Sequence, residues 1–383
     1  MKHIHIRGPL LSISGYGVHS RQIARWAFLN QWKITTEILP WGGTPWYTNR
    51  EECDGLIGQI MEASRPLQNQ KPDVSFQIGL PHEWDNTLAR INIGVSAVVE
   101  ATSCSKKWVE ACKRMNHVIV PSKFSKKVLV NSGLKASRVT VIPESYIDAC
   151  RQDPIDLDIK FSTSHNFLML GQMSGNYLTD RKNTAATIAL FCQTFENRPD
   201  VGLIVKTNCG TNSSVDRHIT RSRLKSVIHQ VRKGKYPKIY FLHGYLTDRE
   251  VSSLYKHPKV RGLLSLTHGE GFGLPLLEAA ACGLPVMATD WSAHTEFLNL
   301  GSWEKVKYDL VTVPEQKIDG TVFPPACQWA EPNMLYARDA LVSFEKHCWD
   351  WENKVKPLQN SILKSYSFDN IAKKYDKFFR RYR

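Results

Sequence analysis

The sequence predicts an α/β protein of two doubly wound, Rossmann-like domains, each a parallel sheet wrapped by helices, followed by a helical tail. Three observations carry this. Short apolar runs alternate with helix-like segments along most of the chain. The runs fall into two series separated by a polar stretch, and each series contains a glycine loop directly after a strand-like run. At 383 residues the chain exceeds the roughly 100–200 residues of a usual single domain. Its 42% hydrophobic and 22% charged residues are ordinary for a folded enzyme and exclude general disorder.

The first series places strands at 3–6, 34–39, 74–78, 91–98, 117–120 and 139–142, with helical stretches such as 19–30 between them. It defines an N-terminal domain over 1–150. Residues 151–165 are polar, contain Pro154 and lack helical periodicity, as an interdomain linker does. The second series, with strands at 167–170, 203–206, 239–242, 263–266 and 285–288, defines a C-terminal domain over 166–332. Residues 333–383 read as helices packing back across the domains, and the chain ends in KKYDKFFRRYR, where bulky apolar side chains sit among cations. Ligands of open α/β sheets bind beyond the carboxyl ends of the strands, so a cleft between the two domains is the expected site.

The N-terminal MKHIHIRGPLLSISGYG has histidines and an arginine where a signal peptide needs an unbroken apolar run. No stretch reaches the ~18 apolar residues of a membrane span. Nine scattered cysteines with no CxxC pair read as reduced thiols, which predicts a cytoplasmic protein, in a host cytoplasm if its source is viral. The absence of HExxH, Walker and kinase signatures excludes zinc hydrolysis and P-loop phosphoryl transfer.

The sharpest segment is Thr267-His-Gly-Glu-Gly-Phe-Gly-Leu-Pro-Leu-Leu-Glu278, between a strand and a helix. Gly271 and Gly273 let backbone approach a ligand, Pro275 suits a first helical turn, and the helix start presents unpaired amides to anionic oxygens. Glu270 in the loop and Glu278 about one turn into the helix would meet different parts of one ligand, and a carboxylate suits vicinal hydroxyls. The bland reading, a tight turn with Glu278 on the surface, fits the glycines equally well.

The full string resembles the signature of the family-four retaining glycosyltransferases, in which two glutamates with seven residues between them bracket a glycine-rich loop, here Glu270 and Glu278. Gly15-Tyr-Gly17 resembles that family's N-terminal glycine loop, although Ser20 stands where a dinucleotide fingerprint has its third glycine. Gly171 followed by Arg181-Lys182-Asn183 resembles the start of its donor domain, and Val120-Pro-Ser122, Gly244-Tyr-Leu-Thr-Asp248 and Trp329-Ala-Glu-Pro332 also recur there. The resemblance spans residues 15 to 332 and implies the GT-B fold, a nucleotide-sugar donor held mainly by the C-terminal domain, and retention at the anomeric carbon. It assigns Gly15, Gly17, Arg181, Lys182, Lys206, Gly271, Phe272, Gly273, Leu274 and Glu278 to donor binding. Glu270 would contact the transferred sugar, Glu278 the nucleotide ribose and Lys182 the diphosphate. The sequence departs from the family at Gln172, where an arginine is usual, and Arg181 or Lys206 would supply the missing charge.

Fixed cations and helix amides can stabilise a leaving diphosphate without a metal. The only DxD, Asp156-Leu-Asp158, falls in the linker, so no cofactor or metal is expected. Double displacement on Glu270 is conceivable by analogy with retaining glycosidases. Front-face attack, in which the leaving phosphate takes the acceptor proton, is what the resemblance favours. On the acceptor side, His82 is a catalytic candidate, with Glu83 and Trp84 beside it.

Of the formal +14, a run from Lys106 to Arg138 carries +8, one from Asp216 to Lys238 carries +7, and the tail from Lys373 carries +5. Such clustering points to an anionic partner, with Lys123, Lys126 and Lys127 as contacts. Residues 80–85 and 120–126 look similar to glycosyltransferase-like proteins of large tailed bacteriophages, some of which glycosylate hydroxymethylated pyrimidines. Trp41, Trp46, Tyr47 and Trp84 could stack on a flipped base or on a sugar. The expected acceptor is therefore DNA ahead of a glycan, a lipid-linked saccharide or an anionic membrane. A non-catalytic sugar-nucleotide-binding protein is the alternative of another class. The oligomeric state is not legible.

Overall fold

A computed structural model describes residues 2–67, 71–173 and 179–382. The chain forms two compact units: Met1–Ser145, Ile318–Cys327 and Phe368–Arg383 make the first, and Tyr146–Lys317 with Gln328–Ser367 the second.

The first unit runs β1 (His3–Gly8), α1 (Gly15–Leu29), β2 (Lys33–Ile38), α2 (Leu56–Ala63), β3 (Val74–Ile78), β4 (Ile91–Val95), α3 (Lys106–Arg114), β5 (His117–Val120), α4 (Lys123–Asn131) and β6 (Val139–Val141). Its strands form one parallel sheet in the order β2-β1-β3-β4-β5-β6. β3 and β5 are buried at every position, the pattern of strands covered on both faces. Ser14, Ser105 and Ser122 start α1, α3 and α4 by accepting backbone amides of the first turn.

The second unit continues with β7 (His165–Leu170), α5 (Thr184–Thr194), β8 (Val201–Lys206), α6 (Ser214–Val231), β9 (Lys238–Leu242), α7 (Asp248–Tyr255), β10 (Val260–Ser265), α8 (Leu274–Ala281), β11 (Val286–Thr289), α9 (Thr295–Leu298), β12 (Glu304–Val306), β13 (Tyr308–Thr312), β14 (Gln328–Pro332), α10 (Met334–Lys346), α11 (Cys348–Lys354) and α12 (Lys356–Ser365). Its parallel sheet has the order β12-β11-β10-β7-β8-β9, and β13 and β14 form an antiparallel pair. The three-residue β12 and the β13–β14 pair are absent from the sequence prediction: β12 is short, β13 is largely exposed, and β14 is interrupted by Glu331 and Pro332.

The order of the second sheet fixes where a ligand belongs. From β7 the chain steps outward through β8 to β9, then returns to the other side of β7 as β10. That reversal opens a crevice beyond the carboxyl ends of β7 and β10. Gly262 lets α10 pack closely on β10, because a Cβ there would lie 2.5 Å from the Phe344 ring.

The tail is divided between the units. Its last helix, α13 (Phe368–Phe379), places Ile371, Tyr375, Phe378 and Phe379 on one face, and all four are buried in the first unit's core. Trp26 packs edge-on against Phe379 at 5.6 Å and donates Nε1–H to Asp376 at 3.0 Å. The bulky residues of KKYDKFF are thus core, and only the cations look outward. No helix among the described residues is long and apolar enough to cross a membrane. Phe379→Ala should destabilise the first unit by about 3–5 kcal/mol, as large-to-small core changes do, seen as a lower urea midpoint of that unit's transition.

Candidate functional site

The crevice between β7 and β10 gathers the charged residues singled out in the second unit. The segment after β7 ends at Asp180, which is 4% exposed and accepts from the amides of Lys182 at 3.2 Å and Thr184 at 2.9 Å, so that it caps α5. Asn183 takes a left-handed conformation at φ 55°, turning the chain into the helix. Arg181 and Lys182 are thereby aimed at the loop after β10. Arg181 donates to the Gly269 carbonyl at 2.5 Å, and its own carbonyl accepts the His268 amide at 2.9 Å. The aliphatic chain of Lys182 lies against Gly171, where a Cβ would come within 3.3 Å.

Glu270 stands at the centre, with Lys182 Nζ 2.6 Å from Oε1 and Arg181 Nη1 3.3 Å from Oε2. Burial would push its carboxyl up, but the ammonium of Lys182 and the guanidinium of Arg181 outweigh burial and hold it at about 2. Gly273, at φ 100°, reverses the chain into α8, and Pro275 sits in its first turn. Glu278 projects one turn further, 8% exposed, and the buried Tyr255 hydroxyl donates to its Oε2 at 3.4 Å. Lys206, at the end of β8, donates to the Gly244 carbonyl at 2.5 Å, and burial lowers its pKa.

Two carboxylates, two cations and the α8 amides therefore converge at one switch point. Leu274 is buried at the first position of α8. Phe272 corrects an expectation: its ring is buried at 5% exposure, 5.6 Å from Phe297, so the residue offers a donor only backbone.

In the first unit, Gly15 and Gly17 open α1. A Cβ on Gly17 would fall 1.9 Å from the Ser12 carbonyl oxygen, so close packing of the turn already demands that glycine. His82 is exposed, and its Nδ1 accepts the Trp108 indole N–H at 3.0 Å, which leaves the proton on Nε2. Glu83 is exposed and closes its own turn by accepting the Leu80 amide at 3.0 Å. Trp84 is corrected: it is 7% exposed and its ring fills the space above Gly94, so it is core and offers no face to an acceptor. Tyr47 is likewise buried at 6%, under the Arg21 guanidinium. Lys123 and Lys127 are exposed on α4, whereas Lys126 donates to the Val139 carbonyl at 2.8 Å.

Asp156 and Asp158 are exposed and irregular in backbone. Among the described residues, His165, Asp200 and Glu345 come within metal-ligand reach of one another, but Arg198 crosses the group, donating to Asp200 at 2.9 and 2.7 Å and to Glu345 at 3.1 Å. It also lies where β7 and β8 begin, at the opposite end of the sheet from Glu270.

Sequence reasoning missed Asp180, Tyr255, His268, Ser292 and His294. Asp180 was readable as a polar residue that could accept from the amides at the start of α5, whose N-cap is Asn183. The loop after β11 that carries Ser292 and His294 was a candidate by position alone, since it follows a strand's carboxyl end.

Comparison with known proteins finds a family match over a third of the chain and similar folds over all of it. Residues 178–305 match the family Glycosyl transferases group 1. Over 138 residues the chain is 31% identical to the serotype-specific mannosyltransferase WbdA of Escherichia coli, a stretch that covers 36% of this chain and 15% of that protein. The fold is GT-B. Sucrose-phosphate synthase from Thermosynechococcus elongatus superposes with a TM-score of 0.66 at 14% identity, covering 100% of this chain and 99% of that one. HepE of Anabaena, solved in complex with UDP and glucose, gives 0.66 at 13% identity and covers 100% of both chains.

The depressed Glu270 pKa has a signed consequence. The pairing is fully present above the ordinary value of 4.5 and is lost as pH falls toward 2. Between pH 6 and pH 3 the second unit should lose about 2 kcal/mol more in the wild type than in Glu270→Gln, measured by urea denaturation at the two pH values.

Proposed function

We propose that this chain is a retaining glycosyltransferase that moves a sugar from a nucleoside-diphosphate donor to a hydroxyl of a glycan. The observation that carries the reading is Glu270, held as an anion between Lys182 and Arg181 at the switch point, with Glu278 one turn away. Lys182 and Arg181 are fixed cations that an arriving diphosphate would meet. As it binds, Lys182 and Arg181 turn to its oxygens, and the α8 amides add partial positive charge. Glu278, oriented by Tyr255, accepts from the ribose diol.

A carboxylate held at about 2 takes up no proton at neutral pH, so Glu270 serves poorly as a general base. Its role is to accept from the transferred sugar and to face the positive charge that grows at the anomeric carbon. The bond from that carbon to the phosphate oxygen breaks, and the bond to the acceptor oxygen forms on the same face. The acceptor proton passes to the departing phosphate. Lys182 and Arg181 supply the charge that a divalent ion would otherwise bring, so the reaction proceeds without one.

The glycan assignment replaces the DNA acceptor expected from the sequence. Trp84 and Tyr47, two of the four aromatics offered for stacking, are buried, and Lys126 is engaged with its own backbone. The E. coli relative is named as a mannosyltransferase, which favours a saccharide.

Purified protein is mixed with UDP-, GDP-, ADP- and TDP-sugars, and with either mannose-containing oligosaccharides or hydroxymethylpyrimidine DNA. Nucleoside diphosphate release and product anomer are then read by chromatography and NMR. Release with one donor class and a retained anomer on the oligosaccharide is expected. Release from no donor would leave a sugar-nucleotide-binding protein, and a mass increase on DNA alone would restore the nucleic-acid reading. Glu270→Gln should lower kcat about 100-fold or more with donor KM little changed, the pattern of an interaction made in the transition state. Turnover should persist in excess EDTA; loss on chelation with recovery in magnesium or manganese would refute the metal-free scheme.

A further inference from the structure

We infer that Ser292 is a positioning residue that sets Glu270 through its backbone amide, an inference that rests on the glycosyltransferase reading. Ser292 lies in the loop from β11 to α9 and is 6% exposed. Its φ is 83°, whereas the other described non-glycine residues with positive φ lie between 54° and 65°. That left-handed conformation is one that side chains disfavour and glycine accepts freely. If the loop needed only this backbone shape, glycine would serve better, so the hydroxyl requires a reason.

The hydrogen bonds provide one. Ser292 Oγ accepts the Glu270 amide at 2.8 Å, and the Glu270 carbonyl accepts the Ala293 amide at 3.2 Å. The Glu270 backbone is thus held at both its polar groups by two successive residues of one loop. His294, fully buried, donates Nε2–H to the Thr289 carbonyl at 2.7 Å, which leaves a lone pair on Nδ1. Ser292 Oγ is 3.4 Å from that Nδ1. The hydroxyl proton therefore points to His294, and the oxygen's lone pairs point to Glu270. His294 also lies against the turn at Gly273, where a Cβ would come within 3.1 Å of its own Cβ. Strain at a buried loop residue persists where surrounding contacts impose it, and here it aims the one carboxylate that meets the reacting sugar.

The test compares Ser292→Gly and Ser292→Ala with the wild type in the full chain. Both variants remove the hydroxyl, but only glycine removes the strain, so Ser292→Gly should be the more stable of the two by thermal midpoint. Both should lose kcat by 10- to 100-fold, the scale of a displacement of about 1 Å at a reacting group, while donor KM and UDP affinity change less than threefold. A merely structural role would make activity follow stability, with Ser292→Gly recovering turnover. Wild-type kcat in Ser292→Gly would overturn the inference. Amide hydrogen exchange at Glu270 supplies a readout independent of turnover: protection should fall in both variants while the interiors of β10 and α8 keep theirs. If the wild type turns over no donor, the glycosyltransferase reading fails and exchange alone decides whether Ser292 holds Glu270. Unchanged protection in both variants would refute it.

Discussion

The second unit is organised around a buried carboxylate that could not be ionised without its two cations. Glu270 is 5% exposed, and an isolated charge so placed would be strongly penalised. Lys182 and Arg181 remove that penalty only if the segment after β7 and the loop after β10 stay in register. The Asp180 cap, the left-handed Asn183 and the strap from Arg181 to Gly269 provide that register. The reversal of strand order between β7 and β10 is what brings the two segments side by side. Topology, helix capping and electrostatics thus converge on one contact, at the place where a diphosphate is proposed to bind.

The first unit treats a buried carboxyl in the opposite way. Glu144 and His19 are both almost fully buried, 3.8 Å apart, and His19 Nε2 lies 3.1 Å from the Tyr375 hydroxyl. With no cation supplied, burial raises Glu144 to about 8 and lowers His19 to about 4, so the pair is neutral at ordinary pH. Neutral, Glu144 demands no counter-charge, although its Oε2 is buried without a hydrogen-bond partner. The contrast separates a structural carboxyl from one kept charged: the difference lies in whether nearby loops deliver cations, not in depth of burial.

Most of the architecture was legible because parallel strands covered on both faces are written as apolar runs, and β7, β8, β10 and β11 carry such runs. β12 and the β13–β14 pair were not, since β12 has three residues, β13 is largely exposed and the buried β14 carries no continuous apolar run. Within the site, Glu270, Glu278, Lys182 and Arg181 were visible as chemistry at suggestive spacing. Ser292 and His294 were invisible because their significance is a tertiary contact and a φ angle, neither of which has a local signature. Trp84 and Phe272 misled for the complementary reason: an aromatic beside a motif reads as a binding surface until Gly94 or Phe297 is seen to receive its ring. Gly17 shows the same ambiguity at a glycine, which close packing against Ser12 accounts for.

Charge runs are altered most by folding. In the first unit the +8 run keeps its charge, but some of its donors are engaged: Lys126 donates to the Val139 carbonyl, Arg138 to the Lys113 and Met115 carbonyls, and Lys113 pairs with Glu110, the acid already in the sum. In the second unit the surface balance itself shifts. Asp216, the one acid counted against the run that ends at Lys238, is 7% exposed and lies 2.8 Å from His243 Nε2, so it offsets little at the surface. The outward face of α6 is therefore more cationic than the sequence sum implies. The anionic partner expected from the sequence was attached to the first unit because its +8 run lies in the domain expected to hold the acceptor. Lys106, Lys107, Arg114, Lys123, Lys127 and Lys135 stay exposed, so the first unit keeps a cationic surface; what folding takes away is stacking surface, because Trp84 and Tyr47 are buried.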